Sequence, residues 1–539
     1  MGLREGDLPT SSMTGGEALA GQLRAEGVEV IFGLPGDQLM AALDALVDVP
    51  EIRYIVTRHE QATTYMADGY ARAGGRPGVA MVVPGVGVYN AASGLATAYA
   101  CSSPVLLVAG QVNRHGIGKD LGLLHDVHDQ LEVVRPITKW AERVLAPGDV
   151  AGSVREAFRQ MTSGRPRPVE IEIPPEVLVE RAEVALVPPR VSEVAALDAV
   201  ALEAAAARLA GARSPLIVAG GGVVLSGASG ALQDLAELLQ APVVTTREGK
   251  GAIDDRHPLS VGTMWVNRRM RPALDAADVV LAVGTRFQGI GLAPGQQLVH
   301  VDVDAEQIGR NHPADVAVAG DATSALTGLL ELLADGPERA SRADEAGAMR
   351  AAAEQELRAV GPAAAMVEAL RAGIPDDGIL VCDTTTVAYM CHMHYRVYEP
   401  RTYLSTSYMG TLGFAYPAAL GAKVAQPDRP VVTVVGDGGF LFASNELATA
   451  VQHGIDTVTV VFDDCAYGNS NRDQREKFAG RELGTVLRNP DWVQLAHAFG
   501  AEGVRVDDIA ALPDVLSAAI AGGGSTVIAV PMDRLPSPF

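Results

Sequence analysis

Residues 431–439 read Val-Val-Thr-Val-Val-Gly-Asp-Gly-Gly, an apolar run that ends at an aspartate between glycines. The next apolar run, residues 457–464, reads Thr-Val-Thr-Val-Val-Phe-Asp-Asp and ends at two aspartates. Unbroken runs of this kind predict buried strands of a parallel sheet that is covered by helices on both faces. Because the carboxyl ends of such strands share one edge of the sheet, we expect Asp437 and Asp464 to lie close together.

This edge has the chemistry of a site for a metal ion and a diphosphate. Gly436, Gly438 and Gly439 let backbone N–H groups approach a phosphate at the start of a helix. Two carboxylates suit Mg²⁺, which takes hard oxygen ligands and shares them with phosphates. A glycine-rich turn with two solvated aspartates is the alternative, and it would explain Gly-Asp-Gly alone. A second acidic residue, Asp464, lies 27 positions after Asp437 and follows a predicted strand of its own, which favours the metal site over this alternative.

Short apolar runs alternate with helical patterns along nearly all 539 residues, which indicates an α/β protein with parallel sheets. A proline-rich stretch at 174–192 and a charged, alanine-rich stretch at 336–355 are predicted linkers. We therefore predict three domains, covering residues 1–180, 190–335 and 356–539.

Charge and composition limit the class of partner. The formal net charge is −22 and no run is rich in Lys or Arg, so we expect no nucleic-acid partner. No apolar segment has the length of a membrane span or of a signal-peptide core, so we expect no membrane association. The four cysteines are scattered, which favours a reducing, cytoplasmic location over a disulfide framework or a zinc site.

Polar groups also follow apolar runs elsewhere in the chain. Residues 57–60 read Thr-Arg-His-Glu before a predicted helix, where Glu60 would at the least stabilise the helix N-terminus. Residues 84–90 read Pro-Gly-Val-Gly-Val-Tyr-Asn and form a glycine-rich turn that includes Gly85 and Asn90. Thr385 and Thr386 follow the predicted strand 379–382, and an ordinary threonine-rich turn explains them equally well.

In this order, the motifs resemble those of the thiamine-diphosphate enzymes, most closely the acetolactate synthase and benzaldehyde lyase branch. The resemblance covers nearly the whole chain and implies pyrimidine-binding, central and diphosphate-binding domains, each with a doubly wound parallel sheet. It implies that Asp437, Asp464 and the carbonyl of Ala466 hold Mg²⁺. It implies that the glutamate at position 60 bonds N1′ of the aminopyrimidine. The remaining cofactor-binding residues that it implies are Gly85, Asn90, Thr385, Thr386, Leu412, Gly436, Gly438, Gly439 and Tyr467.

Three departures from the family pattern stand out. Asp463-Asp464 replaces the usual Asn-Asn, which adds one negative charge beside the diphosphate. Residues 469–473 read Asn-Ser-Asn-Arg-Asp, where acetolactate synthase has the apolar residues and a tryptophan that select its second substrate. Residues 288–290 read Gln-Gly-Ile in place of a flavin-contacting Asp-Asp-Arg, so FAD is considered but not favoured.

The resemblance also carries the predicted reaction. His125 aligns with a substrate-facing Phe or Gln of relatives, and Gln38 with the catalytic histidine of benzaldehyde lyase. We predict that both are catalytic and that His125 shuttles a proton. His125 could instead be an ordinary surface-loop histidine, with His128 as the competing candidate. Leu412, expected to bend the cofactor, could instead be an ordinary core leucine.

The predicted activity is that of a carboligase, which decarboxylates a pyruvate-like 2-oxo acid and joins the product to a second carbonyl. A simple 2-oxo acid decarboxylase or 2-hydroxyketone lyase is the alternative, and a non-catalytic binding protein is a third hypothesis. The resemblance further implies a homodimer or homotetramer with active sites at the subunit interface.

Overall fold

Three six-stranded parallel sheets, each flanked by helices, form the frame of the molecule. The structure is a computed structural model, and it describes residues 8–189, 195–264 and 269–539. The sheets follow one another along the chain, which confirms the predicted α/β class with three doubly wound domains. Among the described residues, no helix combines the length and the apolar character needed to cross a membrane.

The first sheet has the strand order β3-β2-β4-β5-β7-β6, and strands β1 and β8 pair separately as an antiparallel ribbon. The strands are β1 (Ser11–Thr14), β2 (Val30–Gly33), β3 (Arg53–Val56), β4 (Gly78–Val82), β5 (Val105–Gly110), β6 (Trp140–Arg143), β7 (Val169–Ile173) and β8 (Arg181–Val184). The helices are α1 (Gly15–Ala25), α2 (Met40–Val47), α3 (Glu60–Gly74), α4 (Val86–Cys101), α5 (Gln130–Val134), α6 (Val150–Thr162) and α7 (Pro175–Val179).

The central sheet has the strand order β11-β10-β9-β12-β13-β14. Its strands are β9 (Pro215–Ala219), β10 (Val243–Thr245), β11 (Ser260–Thr263), β12 (Val279–Val283), β13 (Gln297–Asp302) and β14 (Val316–Ala319). The helices around it are α8 (Ala199–Gly211), α9 (Gly221–Ser226), α10 (Ser229–Leu239), α11 (Arg271–Asp275) and α12 (Ala322–Leu333).

The third sheet has the strand order β16-β15-β17-β18-β20-β19. Its strands are β15 (Ile379–Cys382), β16 (Tyr403–Leu404), β17 (Val431–Gly436), β18 (Val458–Asp463), β19 (Glu502–Arg505) and β20 (Thr526–Pro531). The helices from residue 343 onward are α13 (Ala343–Arg358), α14 (Pro362–Gly373), α15 (Thr386–His394), α16 (Ala415–Ala425), α17 (Asp437–Leu441), α18 (Leu447–His453), α19 (Gly468–Lys477), α20 (Trp492–Phe499) and α21 (Leu512–Gly522).

Both predicted linkers contain regular structure. The predicted linker at 336–355 overlaps α13, which residues 343–358 form. Ala346, Ala353 and Leu357 are buried on this helix, an apolar stripe too sparse to stand out in an alanine-rich sequence. The stretch 174–192 contains α7 and β8, and its residues 190–192 lie outside the described part of the chain. The domain boundaries remain predictions.

Helices α3 and α16 join the first domain to the third at unusually close range. A Cβ atom placed on Gly69 would collide with the backbone oxygen of Ala418, and one on Gly421 with that of Met66. Glycine at both positions therefore lets the two backbones touch. Buried residues of both sheets form one continuous apolar core around this crossing. The two domains consequently share a core within a single chain.

Candidate active site

The strand order places a crevice at one point in each sheet. In the third sheet the order reverses between β15 and β17, and the connections leaving the two strands diverge there. Ligands of doubly wound sheets bind in such crevices, outside the carboxyl ends of the strands. Thr385 follows β15 and Asp437 follows β17, so both predicted site residues lie at this reversal. The first sheet reverses between β2 and β4, the strands that precede Gln38 and Gly85.

The three residues expected to hold the metal come together. The backbone N–H of Ala466 donates to Oδ2 of Asp437 at 3.1 Å. Asp464 lies close enough for its charge to raise the pKa of Asp437. Burial is the larger cause, and together these effects raise the pKa of Asp437 to about 6. Burial also raises the pKa of the half-buried Asp464. Two neighbouring carboxylates whose charged forms are disfavoured in this way are a donor set that a divalent cation would stabilise.

Asp463, the departure from the Asn-Asn pattern, has its own set of partners. Its Oδ2 accepts from the Trp492 indole N–H at 2.7 Å, and its Oδ1 accepts from the Asn489 amide at 2.7 Å. The backbone N–H of Cys465 donates to the same Oδ1 at 3.0 Å. Burial raises the pKa of Asp463, but these hydrogen bonds outweigh burial and the net pKa is lowered. The extra carboxylate is thus stabilised as a charge by protein donors.

The Gly-Asp-Gly turn is enclosed by the other residues of the predicted diphosphate site. A Cβ atom on Gly438 would lie 2.6 Å from the Tyr467 ring, and one on Gly436 would lie 3.2 Å from Oγ1 of Thr385. A Cβ atom on Gly439 would lie 3.2 Å from the carboxylate of Asp383. The glycines after β17 therefore keep a narrow space open between side chains that follow β15 and β18. This shape fits a diphosphate that is approached by backbone N–H groups.

Thr386 is buried in the first turn of α15, and Leu412 is half-buried in the turn before α16. Leu412 lies between Gly410 and Gly413, which have φ angles of 64° and 78°. Its partial exposure distinguishes it from an ordinary core leucine. The role predicted for Leu412 in bending the cofactor remains a prediction.

Glu60 begins α3 and is 9% exposed. The side-chain amide of Asn90, on α4, donates to Oε2 of Glu60 at 3.0 Å. The flanking residues contact the third domain: the Arg58 N–H donates to the Glu446 carboxylate at 3.1 Å, and the Gln61 amide donates to the Phe442 carbonyl at 3.0 Å. Glu60 is therefore a positioned, nearly buried acid and not a freely solvated helix cap.

The two residues predicted to face the substrate meet at the same loop. Gln38 donates from Nε2 to the carbonyl of Leu124 at 3.2 Å, next to His125. The carbonyl of His125 packs against Gly85 at the start of α4, where any Cβ atom would clash with it. His125 is partly buried and has a φ of 67°, in the left-handed region that side chains other than glycine disfavour. The structure thus brings Gln38, His125 and Gly85 together.

His128, the competing candidate, lies on the surface. Its side chain is 77% exposed and contacts Asp120 at 3.1 Å, and the Asp120 side chain is 66% exposed. This environment is typical of a solvated loop histidine. The catalytic role of His125 is still a prediction, because the geometry concerns its backbone.

The polar segment that follows Tyr467 forms α19. Asn469 and Ser470 are exposed on its first turn, and Arg472 is buried one turn later. The Arg472 guanidinium donates to the side-chain oxygen of Asn469. Its Nη1 is buried and has no hydrogen-bond partner within the part of the chain that the structure describes. The segment in which the sequence departs from the expected apolar pattern is therefore polar and contains a buried guanidinium.

A cavity of about 810 Å³ opens at the reversal point of the central sheet, between β9 and β12. Its walls include Gly222 after β9, Arg286 after β12 and Asp302 at the end of β13. Gln288, Gly289 and Ile290, which replace the Asp-Asp-Arg of flavin-binding relatives, also line it. This volume falls in the range of small-molecule and cofactor sites.

Sequence reasoning missed Asn489, Trp492 and Asp383. Asn489 donates to Oδ2 of Asp437 at 2.6 Å as well as to Asp463, so it links the two aspartates. It lies in a loop far along the chain, and no strand pattern marks it. Asp383 could have been found, because it directly follows β15 as Asp437 follows β17. Its carboxylate accepts the backbone N–H groups of Thr384 and Ala415, and burial raises its pKa to about 6.

Three family models match the chain in order. The N-terminal thiamine pyrophosphate-binding domain matches residues 13–133, the central domain of these enzymes residues 202–329, and the C-terminal thiamine pyrophosphate-binding domain residues 383–530. The chain belongs to the thiamine pyrophosphate enzymes, in the branch that includes acetolactate synthase. It is therefore an enzyme of carbon–carbon bond chemistry, and the hypothesis of a non-catalytic binding protein is set aside.

Curated relatives cover almost the whole chain. A probable 2-ketoarginine decarboxylase, AruI, from Pseudomonas aeruginosa is 36% identical over 96% of this chain and 94% of its own length. A probable acetolactate synthase large subunit from Methanocaldococcus jannaschii is 35% identical over 92% of this chain and 88% of its own. The acetolactate synthase large subunit of Parasynechococcus marenigrum is 34% identical over 97% and 88%, respectively.

Proposed function

We propose that this protein is a Mg²⁺-dependent carboligase that decarboxylates a pyruvate-like 2-oxo acid and adds the product to a second carbonyl compound. The observation that supports it is a pair of preorganised ends: Glu60 held by Asn90, and Asp437 beside Asp464 and the Gly-Asp-Gly turn. Two of the relatives described above are acetolactate synthases by name.

The residues present fit the cofactor that the family uses. Thiamine diphosphate, when bound, supplies a carbon nucleophile and an electron sink at C2 for loss of CO₂. Asp437, Asp464 and the Ala466 carbonyl would hold Mg²⁺ against its diphosphate, with Thr385, Thr386 and Tyr467 beside them. Glu60 would hold a proton at N1′ of its aminopyrimidine.

His125 and Gln38 would act on the substrate side of the thiazolium. His125 would give or take the proton at the substrate oxygen, because an imidazole exchanges protons near neutral pH. Gln38 would orient that oxygen, since it is 8% exposed and its buried Oε1 has no hydrogen-bond partner among residues 8–189, 195–264 and 269–539. Gly85 leaves room for the loop that carries His125 to approach closely.

We also propose that the active unit is a homodimer, or a homotetramer built from dimers, with each site between subunits. Large apolar side chains near both halves of the site are exposed in the single chain. Val86 and Tyr89, on the first turn of α4, are 46% and 52% exposed, and Leu441 and Phe442, after the Gly-Asp-Gly turn, are 43% and 48% exposed. Exposed large apolar side chains on both halves of the site favour a subunit contact. Light scattering of the purified protein tests the proposal, and a fully active monomer would contradict it.

A simple decarboxylase is the second candidate. The polar character of α19, with Asn469, Ser470 and the buried Arg472, does not match the apolar acceptor wall of acetolactate synthase. One relative is named as a decarboxylase of a guanidinium-bearing 2-oxo acid. In such an enzyme a proton replaces the second carbonyl compound as the acceptor.

Product analysis separates the two candidates. The protein, supplied with thiamine diphosphate and Mg²⁺, is incubated with pyruvate or 2-ketoarginine, with and without an aldehyde or 2-oxo acid acceptor. Release of CO₂ with formation of a hydroxyketone supports the carboligase. Release of CO₂ with the corresponding aldehyde, unaffected by the acceptor, supports the decarboxylase.

We expect no requirement for FAD. The cavity at the central sheet has the volume for a cofactor, but Gln288, Gly289 and Ile290 lack the charged groups of the flavin-binding pattern. The visible absorption spectrum of the purified protein tests this expectation. A bound flavin band that tracks activity through purification would contradict it.

A further inference from the structure

A buried chain of polar side chains lies behind the loop at Gly85. The side chain of Gln130, at the start of α5, is fully buried. Its Oε1 accepts the backbone N–H of Gly85 at 2.8 Å. Its Nε2 donates to the carbonyl of Gly110 at 3.1 Å and to Oε2 of Glu172 at 2.8 Å. The Gln130 amide therefore connects the N-terminus of α4 to the carboxyl ends of β5 and β7.

Glu172 fixes the orientation of the Gln130 amide. The Glu172 carboxylate is fully buried on β7, where Oε1 accepts from the Arg143 guanidinium and from the Gln111 amide at 3.1 Å. A carboxylate can only accept hydrogen bonds, so Gln130 must present its N–H groups to Glu172 and its oxygen to Gly85. Reversal of the amide would place two oxygens against each other in a buried site.

Glu170, two residues away on the same face of β7, takes no part in these hydrogen bonds. Both of its carboxylate oxygens are buried without a hydrogen-bond partner among the described residues. Burial and the neighbouring Glu172 raise the pKa of Glu170 well above its ordinary value. Of the two carboxyl groups, Glu172 is the one that pairs with Arg143.

The backbone conformation at Gly85 affects the position of the residues that follow it in α4. Gly85 has a φ of 56° and a ψ of −105°, a conformation open to glycine alone. Its carbonyl accepts the N–H of Tyr89, and Asn90 follows in the same helical turn. Asn90 in turn donates to Glu60. The direction in which α4 leaves Gly85 therefore determines where the Asn90 amide meets the carboxylate of Glu60.

We propose that Gln130, oriented by Glu172, is a positioning residue that fixes the Gly85 turn and thereby aligns Asn90 with Glu60. The hydrogen-bond partners of the Gln130 side chain are Gly85, Gly110 and Glu172, so its effect on Glu60 passes through the Gly85 turn. The consequence for catalysis rests on the proposed function. The mechanical link, which runs from Gln130 through Gly85 to Asn90 and Glu60, does not depend on any bound cofactor or substrate.

The matched pair of variants is Gln130→Ala and Gln111→Ala. Both truncate a buried glutamine that donates to Glu172, but the Gln111 oxygen accepts from Val112 and not from Gly85. Amide hydrogen exchange is followed in the protein without added cofactor. We expect protection of residues 85–90 to fall about tenfold in Gln130→Ala, as for the loss of one hydrogen bond, and to remain unchanged in Gln111→Ala.

A second readout uses the cofactor. Binding of thiamine diphosphate with Mg²⁺ is followed by tryptophan fluorescence, and the near-ultraviolet circular dichroism of the bound aminopyrimidine reports its protonation. We expect Gln130→Ala to change the dichroism band and to lower kcat about tenfold or more, because geometry at Glu60 is disturbed. Gln111→Ala is expected to shift the melting temperature without either change.

Equal effects of the two variants on exchange at residues 85–90, or no effect of Gln130→Ala, would overturn the proposal. Should Gln130→Ala not fold, Gln130→Met replaces it, since it keeps the side-chain size but removes the oxygen that accepts from Gly85. Wild-type protection at residues 85–90 in Gln130→Met would overturn the proposal as well. If the wild type binds no thiamine diphosphate, the proposed function fails, and the exchange experiment still decides the mechanical link.

Discussion

The side-chain amide of Asn90 donates to Oε2 of Glu60 at 3.0 Å. This hydrogen bond joins the N-terminal ends of helices α3 and α4. The two residues come from helices that follow different strands of the first sheet. The arrangement leaves the other carboxylate oxygen of Glu60 for a second partner. In the proposed function that partner is the aminopyrimidine.

Glu60→Gln tests the acid directly. We expect kcat to fall at least about 100-fold, the lower range for the loss of a positioned proton-transfer group, while thiamine diphosphate still binds. Steady-state kinetics and a fluorescence titration measure the two quantities. Glu446→Gln is the control, because Glu446 is also buried and accepts a backbone N–H from Arg58 at the same junction. Full turnover in Glu60→Gln would remove this residue from the mechanism.

Replacement of each aspartate at the ends of β17 and β18 distinguishes metal ligands from a structural carboxylate. We expect Asp437→Asn and Asp464→Asn to weaken Mg²⁺ activation by at least the roughly 10- to 100-fold that loss of an outer-shell partner costs. Asp463→Asn should leave the Mg²⁺ requirement near that of the wild type, since Trp492 and Asn489 already hold that carboxylate.

The Mg²⁺ concentration that restores half of the activity after treatment with a chelator measures all three variants. If Asp463→Asn loses as much Mg²⁺ affinity as Asp437→Asn, the assignment of ligands is wrong.

Substitutions of His125 and His128, which lie three positions apart in the same loop, can be compared directly. We expect His125→Ala to lower kcat about 10²- to 10⁴-fold, as for the loss of a general acid or base, with little change in stability. His128→Ala should stay close to the wild type, because His128 contacts only the exposed Asp120 among the described partners of its ring. Turnover of both variants at saturating substrate is the measurement. Unimpaired His125→Ala would leave Gln38 as the remaining candidate on the substrate side.

Glu170→Met is expected to stabilise the fold. The variant replaces a buried, unpartnered carboxyl group by an apolar side chain of similar shape, and such a change yields about 1 to 3 kcal/mol. In the unfolded chain Glu170 ionises near its ordinary pKa of 4.5, whereas in the folded chain its pKa is raised. The unfolded state therefore loses its proton first, and this residue costs the wild type stability as pH rises above that value.

The difference in unfolding free energy between Glu170→Met and the wild type should consequently grow with pH. Urea unfolding at a series of pH values measures it, with Glu183→Met, on the exposed face of β8, as the control. A difference that shrinks with rising pH would contradict a raised pKa for Glu170 in the folded chain.

The sequence alone predicts that Asp437 and Asp464, the main acidic residues of the candidate site, lie at the carboxyl ends of two parallel strands. The residues after an unbroken apolar run lie at one edge of a parallel sheet, and this rule brought Asp437 and Asp464 together correctly. The rule does not give the direction of a side chain. Asp463 and Asp464 are neighbours in sequence, yet the donors around Asp463 come from Asn489 and Trp492, which no local pattern connects to it.

The parts that sequence could not predict depend on contacts between distant segments. Gln130 is an ordinary residue in a short helix, and its importance follows only from Gly85 and Glu172, which lie 45 and 42 positions away. Helix α13 was missed for a different reason: its buried face consists mostly of alanines, and alanines also fill its exposed face. Hydrophobic periodicity carries little signal where both faces share the same residue.

The crossing of α3 and α16 at Gly69 and Gly421 has a mechanical consequence. Two backbones in direct contact, without intervening side chains, cannot slide or tilt without losing that contact along its length. The domain that carries Glu60 and the domain that carries the aspartates of the same chain should therefore move as one body. Entry of substrate and escape of product would then depend on surface loops, such as the one around His125, or on the contact between subunits, and not on a hinge between these domains.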